Sequence, residues 1–283
     1  MPMPATTFRP LTEADIPFAM RLKEAAGWNQ TECDWRRYLI LEPAGCYLAL
    51  YDGQPAGTVT TVSYGTRLGW IGMVLVHPEL RRRGIGTALM RRAIEYLKSR
   101  GVVTIALDAT AEGRPVYERL GFLDDYGVVR LSGTAPALTG TDQSPRPFDI
   151  EAVCRFDAAV FGADRSRVIR QLAAEHPARF FVAESAGTVS GYIAARPGTY
   201  AWNIGPWVSA DTATAEWLFR QVLGTIAGSP AVVDVPLPQT AGQQLCARFG
   251  FAVSRQFTRM YLGEKPTPID TAGVFSGAGA EKG

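Results

Sequence analysis

The stretch of this chain best equipped for chemistry reads Val74-Leu75-Val76-His77-Pro78-Glu79-Leu80-Arg81-Arg82-Arg83-Gly84-Ile85-Gly86-Thr87. An apolar, strand-like run leads into a basic loop with two glycines. The loop then opens a helix in which Ala88, Leu89, Ala93, Ile94 and Leu97 recur at helical spacing. The first N–H groups of a helix have no internal partner, and the helix dipole favours negative charge there. Glycines let a backbone approach its ligand closely, and arginines add charge-assisted bonds to phosphate oxygens. A pyrophosphate fits such a place. The same residues also fit a plain Gly-containing turn beside a solvated basic run, and the segment alone does not decide between the two.

Two other phosphate-binding patterns are disfavoured. A P-loop needs a Lys directly after its last glycine, and Thr87 follows Gly86. A dinucleotide fingerprint is closer, because Gly84 and Gly86 open a helix and the next strand ends in Asp108. Its third small residue, however, would be Leu89, and His77–Arg83 separate the strand from the first glycine.

At this point the chain resembles the GNAT acetyltransferase superfamily. Arg81-Arg82-Arg83-Gly84-Ile85-Gly86 matches its [Q/R]-x-x-G-x-[G/A] signature, Val76-His77-Pro78 precedes it at the family spacing, and Tyr117 stands before a Leu120-Gly121-Phe122 corner. These motifs span about residues 70–123. The second half resembles a GNAT-like module of the YitH/HolE kind over about 150–263. That likeness rests on Phe161-Gly162-Ala163-Asp164-Arg165, Ile204-Gly205-Pro206, Asp234-Val235-Pro236 and Thr258-Arg259-Met260-Tyr261.

The resemblance implies an α/β (α+β) chain of tandem GNAT folds, each a mixed, mostly antiparallel twisted sheet flanked by helices. It implies acetyl-CoA or another acyl-CoA as donor, a primary amine as acceptor, and no metal. Direct attack of an amine on a thioester develops an oxyanion that preorganised N–H groups stabilise. The resemblance gives that role to the backbone of Val74, Leu75 and Val76, with Arg81–Thr87 around the pyrophosphate. Tyr117 matches the family's proton donor to the leaving thiolate, and a phenol is protonated at neutral pH. Thr110 stands where many relatives carry an Asn that contacts the CoA chain. Asp108 is a candidate base, with a turn or helix cap as its plainer role. Trp28 and Asn29 lie where relatives often build the acceptor site, and core packing is the alternative for Trp28. His77 reads as an exposed loop residue.

The elements that position these residues follow from periodicity. Strands are expected near 7–12, 46–51, 55–64, 70–76, 103–108 and 122–131, and helices near 12–26, 31–41, 86–100 and 114–120. Thr12 and Asp15 have capping-box spacing, and Asp52-Gly53 is a hairpin turn signal. The second half repeats this order. A hairpin at 179–196 answers 46–64, Ile204-Gly205 answers Ile71-Gly72, and Phe249-Gly250-Phe251 answers Leu120-Gly121-Phe122. After Val208 no Arg-x-x-Gly-x-Gly follows, so only the first half is expected to hold the cofactor. The division is 1–135 for the first domain, 136–147 for a Gly/Pro/Ser/Thr-rich linker, 148–265 for the second domain, and 266–283 for a loose tail.

Composition sets the outer limits. The 283 residues carry 29 Lys and Arg against 27 Asp and Glu, a net charge of +2, and 47% are hydrophobic. Such a chain can bury a sizeable core and suits two domains. Its charge gives no field for nucleic acid or an anionic membrane. No apolar run approaches a membrane span, the first residues lack the regions of a signal peptide, and a cytoplasmic location is expected. The four cysteines form no CxxC pair, and two histidines cannot make a multi-His metal site. The expected partner is a small-molecule amine, with the chain a monomer or homodimer. A non-catalytic acyl-CoA sensor or scaffold is the alternative. A nucleic-acid protein using Arg81–Arg83, Arg91 and Arg92 is disfavoured by the charge balance.

Overall fold

The computed structural model describes residues 6–139, 147–266 and 271–283. In chain order the first half holds β1 (Thr6–Pro10), α1 (Ile16–Ala25), α2 (Glu32–Leu41), β2 (Tyr47–Tyr51), β3 (Gln54–Tyr64), β4 (Leu68–Val76), α3 (Ile85–Ser99), β5 (Thr104–Ala109), α4 (Arg114–Arg119) and β6 (Leu123–Thr134). The second holds α5 (Ile150–Phe161), α6 (Ser166–Glu175), β7 (Phe180–Ser185), β8 (Thr188–Arg196), β9 (Trp202–Ser209), α7 (Thr212–Thr225), β10 (Pro230–Pro236), α8 (Thr240–Arg248), β11 (Ala252–Gly263) and β12 (Val274–Ser276). From α1 to β6 and from α5 to β11 the order is the same, as the repeated landmarks predict.

Local chemistry accounts for the boundaries. The predicted capping box forms, with the Thr12 N–H donating to Asp15 Oδ2 at 2.9 Å. Asp52 and Gly53 both take positive φ, as do Ala186 and Gly187 in the matching hairpin. Helix α3 buries Ile85, Leu89, Met90, Ala93, Ile94 and Leu97 as one stripe against the sheet. The opposite face of that sheet carries Leu68, Trp70 and Leu75 under α1 and α2. Phe161, Val168 and Leu172 of the second half join this core. All four cysteines are free thiols, with Cys46, Cys154 and Cys246 buried and Cys33 exposed.

The two halves do not keep separate sheets. The strands run β1-β2-β3-β4-β5-β11-β6-β10-β9-β8-β7, with β12 on β9. Strand β11 lies between β5 and β6, and β6 pairs with β10. Each half therefore lends its last long strand to the other, and the division at 136–147 cuts a continuous hydrogen-bonded surface. Residues 140–146 of the expected linker lie outside the described residues.

The loose tail expected at 266–283 is corrected for residues 271–283. Strand β12 pairs with Val208 and Trp207 of β9, and Ala278, Glu281 and Lys282 are buried. Small residues let this strap pass between the halves, where hydrogen bonds hold it. Trp70 Nε1 donates to the Ala280 carbonyl, Tyr38 Oη to Glu281, Tyr64 Oη to Lys282 and an Arg165 guanidinium N–H to Gly283. Glu281 also pairs with Arg196 at 2.7 Å and with Lys282 at 2.5 Å. Composition alone hides such a segment, because its partners come from both halves.

Candidate active site

Strands β4 and β5 run parallel only from Leu68–Trp70 to Thr104–Ala106 and then part. Between Thr58 and Thr60 of β3, strand β4 carries a bulge, at which Met73 takes a φ of 51°. Beyond it Leu75 and Val76 pair with Thr58 and Gly57, and the His77 N–H donates to Ala56. Alternation along an antiparallel ladder then turns the Leu75 N–H toward β3 and the Val76 N–H toward the open cleft. Of the three residues expected to offer N–H groups, Leu75 is therefore spent on β3. Val76 faces the cleft, and Val74 sits in the bulge.

The basic loop closes the end of this cleft. Arg81, Arg82, Arg83 and Gly84 are exposed, Arg82 has a φ of 62° and Gly84 one of 80°. Gly84 is the N-cap of α3, and no side chain caps that end. The first helical bond across the boundary is from the Ala88 N–H to the Gly84 carbonyl. Among the described residues, the N–H groups of Arg82, Arg83, Gly84, Ile85, Gly86 and Thr87 have no partner. A Cβ on Gly84 would meet nothing within 4 Å, so the loop borders open space. This donor set fits a pyrophosphate and gives the loop an anion-binding chemistry.

On the far side of the cleft Tyr117 lies in α4, with its ring against Phe122. Burial pushes its phenol up to about 12. Thr110 Oγ1 accepts from the Gly113 N–H at 3.2 Å and so shapes the turn into α4.

Two of the expected site residues are engaged by partners from the second half. Both carboxylate oxygens of Asp108 accept from Arg259, at 2.8 and 2.9 Å, and its side chain is 1% exposed. Burial pushes the Asp108 carboxyl up against the pull of that guanidinium. Both oxygens of Asp108 are engaged, and the carboxylate holds Arg259 in place. Arg259 also donates to Tyr126 Oη at 2.7 Å. Its role was missed because its partner lies in the other half. The Asn29 side chain is engaged within the protein as well. Its Oδ1 accepts from the Tyr200 and Ala201 N–H groups, and its Nδ2 donates to the Ala201 carbonyl, which ties the α1–α2 turn to the second half. Trp28 is half-buried and packs on the core under α1.

The second half has the matching splay and fills it from within. Strands β9 and β10 pair only at Trp202–Ile204 with Ala231–Val233. The residue that answers Val76 is Ser209, and its N–H donates to the Gly273 carbonyl at 2.9 Å beside β12. Helix α7, which answers α3, is capped by Asp211, whose carboxylate accepts from the Thr214 N–H and hydroxyl. A carboxylate there takes the place an anion would need. Among the described residues no group of acidic, His and Cys side chains could hold a metal, and no helix is long and apolar enough to cross a membrane.

Comparison with known proteins identifies the family. Residues 12–122 match the model of the Acetyltransferase (GNAT) family, and residues 153–276 match that of an Acetyltransferase (GNAT) domain. The chain is 26% identical over 247 residues to the holothin acyltransferase of Pseudoalteromonas sp. (strain SANK 73390), covering 86% of this chain and 83% of that protein. It is 26% identical over 271 residues to the uncharacterized N-acetyltransferase YitH of Bacillus subtilis (strain 168), covering 94% of each. A crystal structure of a putative acetyltransferase from Pyrococcus horikoshii superposes with a TM-score of 0.82 at 24% identity, over 98% of this chain and 96% of that one, and so shares its fold.

Proposed function

Because the chain belongs to the GNAT acetyltransferase family and is an acyltransferase, we propose that its first half binds acyl-CoA and moves the acyl group to a primary amine of a small molecule. The observation that carries this reading is the run of unpartnered N–H groups from Arg82 to Thr87 at the start of α3. Arg81 to Thr87 hold the pyrophosphate, and Val74 and Val76 present backbone N–H groups toward the acyl-bearing arm. When bound, acetyl-CoA supplies the acyl group as a thioester. Tyr117 keeps its proton until the leaving thiolate takes it. The second half contributes no cofactor site, since its own strap lies along β9 and Asp211 stands at the start of α7. The holothin acyltransferase likeness supports a small-molecule acceptor.

The test pairs calorimetric titration with acetyl-CoA and a CoA-thiol release assay over an amine panel. Wild type is expected to bind acetyl-CoA once per chain and to release CoA only with an acceptor. Gly84→Val places a β-branched residue at a left-handed φ facing the open space, and is expected to weaken binding at least tenfold. Tight binding without release for any amine would favour a sensor, and undiminished binding in Gly84→Val would refute the loop assignment.

A further inference from the structure

Where β4 turns away from β5, two of its residues stand opposite one. Thr58 of β3 pairs with Leu75 and Thr60 with Gly72, so Met73 and Val74 face the single residue Val59. Strand β5 has by then left the ladder, since its last partner on β4 is Trp70. Such a bulge re-aims the groups of the bulged strand. Met73 enters it with a φ of 51°, a left-handed conformation that a residue with a Cβ keeps only where its surroundings hold it.

The Thr58 side chain meets this turn. It is fully buried, and its hydroxyl donates to the Met73 carbonyl at 3.0 Å. The Met73 carbonyl and the Val74 N–H belong to one trans peptide and point in opposite directions. A carbonyl drawn toward β3 therefore turns the Val74 N–H away from β3, to the side that β5 has vacated. Val76, two residues on, faces the same opening by the alternation of the ladder.

The second half supplies the contrast. Gly191 pairs with Ser209 as Gly57 pairs with Val76, so Tyr192 answers Thr58. The bulge recurs there between Ile193 and Ala195, but the Tyr192 hydroxyl donates to Asp157 at 2.6 Å. In the half that fills its own splay, this position serves the core instead.

We propose that Thr58 is a positioning residue for acyl transfer. Its hydroxyl fixes the Met73–Val74 peptide so that the Val74 N–H joins that of Val76 at the thioester oxygen. The inference rests on the reading that the acyl group is transferred beside β4. There the neutral amine nitrogen bonds to the acyl carbon, and the carbonyl π pair moves onto oxygen. That pair returns as the carbon–sulfur bond breaks, and the proton lost by the amine is balanced by the one that makes the CoA thiol. Thr58 acts through a backbone donor whose bond strengthens as charge develops on the oxygen.

The test compares Thr58→Val, which keeps the branched shape and removes the donor, with Thr58→Ser, which keeps the donor. Thr58→Val is expected to lower kcat about 10- to 100-fold, since one oxyanion donor is misaimed. Its acetyl-CoA affinity is expected to stay within about twofold, because the N–H groups of Arg82–Thr87 are untouched. Thr58→Ser is expected to return kcat to within about threefold of wild type. Infrared spectra of bound acetyl-CoA, isotope-labelled at the thioester carbonyl, give a readout without turnover. Hydrogen bonds to the oxygen lower that stretch, so it is expected to lie at the same low frequency in wild type and Thr58→Ser and higher in Thr58→Val. A wild-type kcat in Thr58→Val, an equal loss in Thr58→Ser, or one stretch shared by all three proteins overturns the proposal. If Thr58→Val does not fold, Thr58→Ala against Thr58→Ser makes the same comparison, because both lack the methyl and they differ by the hydroxyl alone. A stretch that depends on the hydroxyl, with no CoA release by wild type for any amine, upholds the role of Thr58 at the thioester oxygen and overturns the transfer reading instead.

Discussion

The backbone of Glu281 rests directly on Gly72 of β4, so that a Cβ added to Gly72 would stand 2.5 Å from the Glu281 carbonyl oxygen and 3.1 Å from its Cα. Both partners are backbone, and neither yields by rotating a side chain. Gly72→Ala is therefore expected to cost about 1–3 kcal/mol, as overpacking does. That corresponds to a fall in Tm of roughly 3–10 °C. A thermal melt of the variant beside wild type measures it, and an unchanged Tm would mean that the strap is not held against β4.

Asp108 and Arg259 join the two halves through strands β5 and β11. Removing one charge strands the other inside the protein. Asp108→Asn is expected to lose about 3–5 kcal/mol in denaturant unfolding, whereas Asp108→Leu combined with Arg259→Met recovers most of that loss. With both Asp108 oxygens taken by Arg259, the pH profile of kcat for Asp108→Asn is expected to keep the wild-type midpoint on its acid limb. A displaced midpoint would return Asp108 to the reaction.

Local rules made part of this molecule readable. The Arg81–Thr87 loop is a short-range pattern, and the capping box, the Asp52-Gly53 turn and the stripe of α3 are set by neighbours along the chain. The repeat was legible because Gly72 and Gly205 mark the same bulge in β4 and β9. What stayed hidden depends on partners far away in sequence. No periodicity tells β6 to pair with β10, or Asn29 to cap the Tyr200 turn. The strap reads as loose because Glu281 and Lys282 look like surface residues, and distant partners, Gln30, Asp34 and Arg196, make their burial tolerable. Thr58 gave no signal, because a bulge is a property of two strands together.

Tyr117 offers a sharper test of the chemistry. Its phenol, pushed up to about 12 by burial, stays protonated across the range in which an alkyl amine, near pKa ~10.4, loses its proton. The wild-type rate is thus expected to rise with pH through that range with no loss from Tyr117. Tyr117→Phe is expected to lower kcat by about 10²–10⁴ while acetyl-CoA affinity is kept. An unchanged kcat would leave the ring as packing alone.

Acid should loosen the strap. Asp34 and Glu281 are buried beside Arg196 and Lys282, with Arg37 also beside Asp34, and these cations hold both carboxyls below their ordinary values despite the opposing effect of burial. A carboxyl with a lowered folded pKa binds fewer protons folded than unfolded. It therefore adds stability above the ordinary carboxylate range, about pH 4, and loses it as the pH falls further. The Tm of wild type is expected to hold from neutrality down to that range and then to drop. Glu281→Gln leaves Arg196 and Lys282 with Asp34 alone, so its Tm is expected to start lower at neutral pH and to fall less steeply below pH ~4. Melts of both proteins across the acid range measure the two slopes, and parallel curves would show that Glu281 is not ionised against its cations in the folded chain.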